Sequence, residues 1–132
     1  MGGNGSYSRG DANTEEGRKY KCIAVLDDNI KVLVQKNAKL GVKLPEESHS
    51  PNRIYVSLHG RGEKAGLLKA IAVYDGNGLK RYEIHTTDHD ELGIHCHYWT
   101  EGHPIRKENG RADAKPLTDE MIQLYNKVLS LL

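Results

Sequence analysis

"LLKAIAVYDGNGLKRYEIHTT", residues 67 to 87, has the pattern of two β-strands joined by a tight turn. Apolar and β-branched residues dominate before Asp75, and polar and apolar residues alternate after Gly78. The turn itself, Asp-Gly-Asn-Gly, tolerates the positive φ angles that tight hairpins require. The stretch therefore predicts an antiparallel hairpin.

Strand patterns continue on both sides of this hairpin. "YKCIAVLDDNIKVLVQKN", residues 20 to 37, contains two apolar runs around Asp27, Asp28 and Asn29, which predicts a second hairpin. "RIYVSLH" alternates as a half-buried strand should, and "GIHCHYWT", residues 93 to 100, is the last predicted strand. Residues 38 to 52 and 108 to 116 contain glycine and proline, which favours loops.

The C-terminal residues predict a helix. Thr118 is a suitable N-cap, and Asp119 and Glu120 suit the positive end of the helix dipole. A helical stripe that should dock on the sheet consists of Met121, Ile122, Tyr125, Val128, Leu129 and Leu132. We expect the α+β class, with a single antiparallel, meander-like β-sheet packed by a C-terminal helix in one domain over residues 18–132. Residues 1–17 have little to bury and predict a flexible tail.

Composition limits the classes of function. The formal net charge of +1 gives no overall positive field of the kind that nucleic-acid-binding domains present, so such binding would need a local patch. No signal peptide or membrane-spanning run is apparent, which predicts a cytoplasmic protein without membrane association. Cys22 and Cys96 follow no metal-ligand spacing and are expected to be buried apolar residues.

Five of the seven histidines are concentrated in one short stretch: His85, His89, His95, His97 and His103. In the last strand, alternation places Cys96 on the core face, with Ile94 and Tyr98, and His95 and His97 on the opposite face, with Trp99. If this strand pairs with the preceding one, matched apolar faces bring the opposite faces together, because a slip of one residue would expose the core side chains. The shared surface would then hold Arg81, Glu83, His85, His95, His97 and Trp99.

Three interpretations of this surface remain open. Imidazoles can act as general acid and base on a ribose hydroxyl or leaving oxygen, while Arg81 and Lys80 stabilise phosphate charge. Alternatively, His95 and His97 bind zinc or another transition metal together with His85 or His103. Glu83 or Asp88 would then bind the metal as well or orient a histidine ligand. The third interpretation is structural, a hydrogen-bonded row of histidines. Trp99 either packs over the sheet or stacks on a nucleic-acid base.

The chain also resembles a group of phage and integrative-element proteins. The resemblance rests on "MGGNGS", "NRIYVSL", "LKAIAVYD", "LKRYEIH", "HCHYW" and a further "GH", in this order. Members of that group are similar to predicted polymorphic-toxin domains of the barnase/RelE-like class of metal-independent ribonucleases. The resemblance implies that His95 and His97 match the paired histidines of the terminal strand and His103 the trailing histidine. It also implies that Lys80 and Arg81 match the preceding basic pair.

The leading hypothesis is therefore a ribonuclease-like toxin domain that needs neither metal nor cofactor. Its catalytic residues would be His85, His95 and His97, and its substrate-binding residues Lys80, Arg81, Trp99 and His103. Its partners would be RNA and an immunity protein or phage structural protein. The alternatives are a non-catalytic module that binds a protein partner through Trp99 and a metal-binding protein with histidine ligands.

Overall fold

The computed structural model describes residues 20–27, 29–35, 43–48, 50–60, 62–87 and 93–132. These residues form seven strands and one helix. In chain order, these are β1 (Tyr20–Asp27), β2 (Ile30–Gln35), β3 (Ile54–Leu58), β4 (Leu68–Tyr74), β5 (Lys80–His85), β6 (His95–Thr100), β7 (His103–Pro104) and α1 (Asp119–Leu131). The predicted tail, residues 1–17, lies outside the described residues.

The seven strands form one sheet in sequence order, which supports the predicted α+β class, but the sheet is mixed. Strands β2 and β3 run parallel, with Ile30 opposite Ile54 and Val32 opposite Val56, whereas every other neighbouring pair is antiparallel. The prediction of a purely antiparallel sheet is therefore wrong. Residues 36–53 join β2 to β3, and this exceeds the dozen or so residues that a parallel connection requires.

The central hairpin and the helix form where the sequence predicts them. Asp75 Oδ1 accepts hydrogen bonds from the backbone N–H groups of Asn77, at 2.8 Å, and Leu79, at 3.0 Å, which fixes the turn between β4 and β5. Thr118 caps α1 by accepting from the N–H of Met121 at 3.2 Å. Met121 and Val128 are buried, but Ile122, Leu129 and Leu132 are exposed, so the predicted stripe docks only in part.

Both faces of the sheet are covered. On one face, α1 packs through Met121 and Val128 against a core that includes Ile71, Ile84 and Cys96. The other face holds a second core built from Leu33, Leu44, Tyr55, Ala70, Ala72 and Tyr74. Residues 43–48 cover this second core, since Leu44 belongs to it and the Tyr74 hydroxyl donates to the Pro45 carbonyl. Among the described residues, no helix has the length and hydropathy needed to cross a bilayer.

Candidate metal centre and adjoining pocket

Pairing of β5 with β6 brings the histidines together on the face opposite α1. Glu83 lies opposite His97, and His85 lies opposite His95. Cross-strand partners have neighbouring Cβ atoms, so the four side chains form one cluster. His95 and His97 are 1% and 6% exposed, which shows that they lie beneath the surface instead of forming the open face expected from alternation alone.

A β-bulge decides which basic residue joins this cluster. Val73 pairs with Tyr82 and Tyr74 pairs with Lys80, so Arg81 is an extra residue in β5. Lys80 is consequently buried on the face of Glu83, while Arg81 is exposed and its guanidinium carbon lies 5.7 Å from the Tyr82 ring centroid. The predicted grouping of Arg81 with Glu83 and the histidines is wrong, because simple alternation does not account for the bulge.

The two buried imidazoles direct the same kind of nitrogen at each other. Nδ1 of His95 lies 2.8 Å from the Gly93 carbonyl oxygen, and Nδ1 of His97 lies 3.2 Å from the Asp113 carbonyl oxygen. A carbonyl oxygen only accepts, so these partners assign the ring proton to Nδ1 in both residues. In the neutral rings, Nε2 then carries a lone pair, and the two Nε2 atoms are 3.1 Å apart.

His85 completes a group of three. Its Nε2 lies 2.6 Å from Oε1 of Glu83, and because a carboxylate accepts, this nitrogen carries the proton and Nδ1 has the lone pair. The ring centroid of His85 lies 4.9 Å from that of His97 and 5.4 Å from that of His95. One ring nitrogen from each of the three residues lies within 4.8 Å of the others. Three potential metal ligands therefore converge, and a hydrogen bond to an oxygen orients each ring.

Glu83 is held as a carboxylate despite its burial. Burial raises its pKa, but the hydrogen bond from His85 and the charge of Lys80 outweigh that effect and leave the pKa below its ordinary value. Lys80 Nζ forms an ion pair with Glu83 Oε2, and it also lies 3.3 Å from Glu46 Oε1 and 3.4 Å from the Leu44 carbonyl oxygen. The positive charge of Lys80 is thus engaged by two carboxylates.

Trp99 is fixed beside this ion-pair network. Its indole N–H donates to Glu46 Oε2 at 2.7 Å, and Lys80 Nζ lies 4.5 Å from the ring centroid, within cation–π range. Sequence reasoning missed Glu46, because it lies in a segment without strand or helix periodicity and 53 positions from Trp99. No local signal in the sequence links these two residues.

A pocket of about 350 Å³ opens next to the cluster and is lined by His85, His97 and Glu83. Its apolar lining comes from Leu44, Ala70, Trp99, Pro104, Ile105 and Ala112. Lys43, Lys69 and Arg106 add positive charge to the lining. The side chain of His85 is 32% exposed, so the cluster is accessible from the pocket.

The remaining predicted site residues lie elsewhere. His103 is exposed in β7, opposite Thr100, and is not part of the group of three. His89 and Asp88 fall outside the described residues. Among the described histidines, His59 also lies apart, with Nε2 3.3 Å from the Thr86 hydroxyl.

Comparisons of the chain with protein-family models, with curated proteins and with solved structures gave no match. The resemblance to phage proteins and toxin ribonucleases therefore stays a prediction, and the functional argument depends on the geometry of the site.

Proposed function

We propose that this protein binds a divalent transition-metal ion, with zinc as the best fit, through His85, His95 and His97. One observation carries the proposal: one ring nitrogen from each of the three histidines lies within 4.8 Å of the others, and the Nε2 atoms of His95 and His97 face each other while their Nδ1 atoms donate to carbonyl oxygens. Histidine ligands in metal sites are oriented in this way, including the carboxylate–histidine arrangement that Glu83 and His85 form.

The distances support an ion of this size. Ligand nitrogens at about 2.0–2.1 Å from a tetrahedral zinc ion lie about 3.3–3.4 Å from each other. The two Nε2 atoms of His95 and His97, at 3.1 Å, are close to that separation. In the assigned tautomers the two Nε2 lone pairs face each other across this distance, and a cation between them would be coordinated by both.

Three protein ligands leave one position of a tetrahedral ion for water or substrate. An ion held in this way lowers the pKa of bound water to about 7 and polarises carbonyl or phosphoryl oxygens. The adjoining pocket gives a small molecule access to that position through His85 and His97. These features favour a hydrolytic metal centre over a purely structural one.

Elemental analysis of the purified chain tests the proposal. We expect about one equivalent of tightly held zinc or a similar metal, in line with one three-histidine site. His95→Ala and His97→Ala should lose the metal, whereas His103→Ala is the matched control and should retain it, because His103 lies outside the cluster. Metal-free wild-type protein that also fails to take up added zinc would contradict the proposal.

A ribonuclease that works without metal is the second candidate. The contact between His95 and His97 favours it, because two imidazoles at 3.1 Å can share and transfer a proton. The phosphate-binding role expected of Lys80 and Arg81 has less support, since Lys80 is engaged by two carboxylates and Arg81 lies outside the cluster. Cleavage of RNA in excess chelator, with a bell-shaped pH profile, would favour this candidate over the metal centre.

A further inference from the structure

The pocket beside the three histidines has a composition suited to a particular class of ligand. Five of its lining residues are aliphatic or proline, namely Leu44, Ala70, Pro104, Ile105 and Ala112, and Trp99 adds an aromatic surface. Its volume of about 350 Å³ lies at the small end of the range for ligand pockets. This apolar part of the lining favours contact with an apolar molecular body over a sugar or a polar peptide, because hydrogen-bonding groups placed against it would be left without partners.

The charges around the pocket favour an anion. Lys43, Lys69 and Arg106 line it, and the exposed positions of Lys43 and Arg106 place their charge at the mouth. The two carboxylates of the lining, Glu46 and Glu83, both form ion pairs with Lys80. Lys80 offsets one of these two negative charges, and the three cations of the lining outnumber the one that remains, so the field at the mouth attracts negatively charged molecules.

We propose that this pocket binds a small aromatic anion, a carboxylate or a phosphate, whose charged group ligates the metal at the histidine end. This inference rests on the proposed metal centre and adds the class of ligand. The aromatic body would contact Trp99 and Ile105, and the charged group would occupy the coordination position that three histidines leave open. Cations at the mouth would accelerate the approach of the anion without contacting it in the bound state.

Trp99 provides the measurement, because it is the only tryptophan of the chain and lines the pocket. Zinc-loaded full-length protein is titrated with benzoate and with phenyl phosphate while the emission of Trp99 is recorded. Benzyl alcohol has the ring without the charge, and acetate has the charge without the ring. We expect saturable binding of at least one aromatic anion and binding of both controls weaker by at least ~10-fold. Preference between benzoate and phenyl phosphate identifies the anionic group.

Two matched variants locate the binding. Ile105→Asp adds a negative charge to the pocket wall and should weaken binding of the aromatic anion by about 10-fold or more. Ile122→Asp adds the same charge to an equally exposed position on α1 and should leave binding unchanged; Ile105 and Ile122 are 42% and 43% exposed. Elemental analysis should find the same metal content in both variants.

The outcomes separate this inference from the proposed metal centre. Full metal content with no saturable change in Trp99 emission, or with equal affinity for benzyl alcohol, would overturn the ligand class alone. Binding that is unaffected by Ile105→Asp would overturn the assigned pocket. A wild-type chain that binds no metal would overturn both proposals.

Discussion

Glu83 uses both of its carboxylate oxygens, one on His85 and the other on Lys80. The sequence indicated that Glu83 shares a face with the histidines, because alternation along β5 is a local property. It did not indicate the ion pair with Lys80, which depends on the bulge at Arg81. It also did not indicate the contact between Lys80 and Glu46, because Glu46 lies in a distant segment of the chain. Residues placed by periodicity were therefore predictable, and residues placed by an irregularity or a distant contact were not.

Glu83→Gln tests the role of this carboxylate. The amide oxygen can still accept from His85, but the amide group loses the charge that orients the imidazole. Of the carboxylates that the structure describes next to Lys80, Glu46 alone then remains. We expect metal affinity to fall by about 10- to 100-fold, as measured by competition with a chelating dye. Removing one partner from a buried ion pair should also lower the free energy of unfolding by about 3–5 kcal/mol.

Glu46→Gln is the matched control for this variant. Glu46 also contacts Lys80, but its side-chain hydrogen bonds within the described part of the chain go to Lys80 and Trp99, and its side chain is 45% exposed. Metal affinity should therefore change little. An equal loss of affinity in the two variants would mean that Lys80, and not the hydrogen bond to His85, transmits the effect.

The turn between β4 and β5 connects the two strands of the hairpin and also binds the segment that contains Ser48. The N–H of Ser48 donates to the carbonyl of Gly78 at 2.7 Å, so the turn holds the segment that places Glu46 beside Lys80 and Trp99. The sequence predicted the turn from its local chemistry. For residues 38 to 52 the sequence predicts only a loop, because a segment held by scattered contacts has no periodic pattern.

Gly78→Ala should disrupt this element. Gly78 has φ of +80°, a conformation that strains an alanine. A Cβ there would also lie 2.3 Å from the Ser48 carbonyl oxygen, which is a steric clash. We expect a loss of about 1–3 kcal/mol in the free energy of unfolding, measured by urea titration. Emission of Trp99 should also change, since its partner Glu46 lies in the displaced segment.

Gly76→Ala in the same turn is the control. A Cβ at Gly76 comes no closer than 4.0 Å to Asn52 Oδ1, and its φ is not in the left-handed region. This variant should be close to wild type in stability. Comparable destabilisation by both alanines would show that the turn, and not its contact with Ser48, limits the substitution.

In the overall topology, the parallel direction of β3 relative to β2 could not be predicted from the sequence. Alternation identifies a strand and its buried face but is the same for parallel and antiparallel neighbours. The helix was predictable because Thr118 caps it through local chemistry. The exposure of Ile122 and Leu129 was not, because it depends on how α1 lies on the sheet.

The pH dependence of global stability provides a test away from the metal site. Burial, with the charges of Lys64 and Lys69, lowers the pKa of His59 below its ordinary value of 6.5. At pH values between the lowered pKa of the folded chain and the ordinary pKa of the unfolded chain, the unfolded chain therefore binds a proton at His59 more readily than the folded chain. Stability should rise with pH through this interval and be independent of His59 above about 6.5.

His59→Gln should reduce this slope. Urea titrations of the metal-free wild type and variant, at several pH values below and above 6.5, isolate the contribution of His59 because both chains keep the other histidines. Identical slopes in the two proteins would contradict the assignment. The glutamine can retain a hydrogen bond to the Thr86 hydroxyl, so the comparison changes mainly the titratable group.

The parallel pairing of β2 with β3 has a consequence for the order of folding. Strands β3 to β7 are joined to their neighbours by antiparallel pairs, whereas Ile30 meets Ile54 only after residues 36–53 have closed a long loop. Loop closure costs entropy before any contact compensates for it, so pairings between sequence-distant residues form slowly. We expect β4, β5 and β6, with all three histidines, to form the early nucleus, and the β1–β2 hairpin to dock in the last and slowest step.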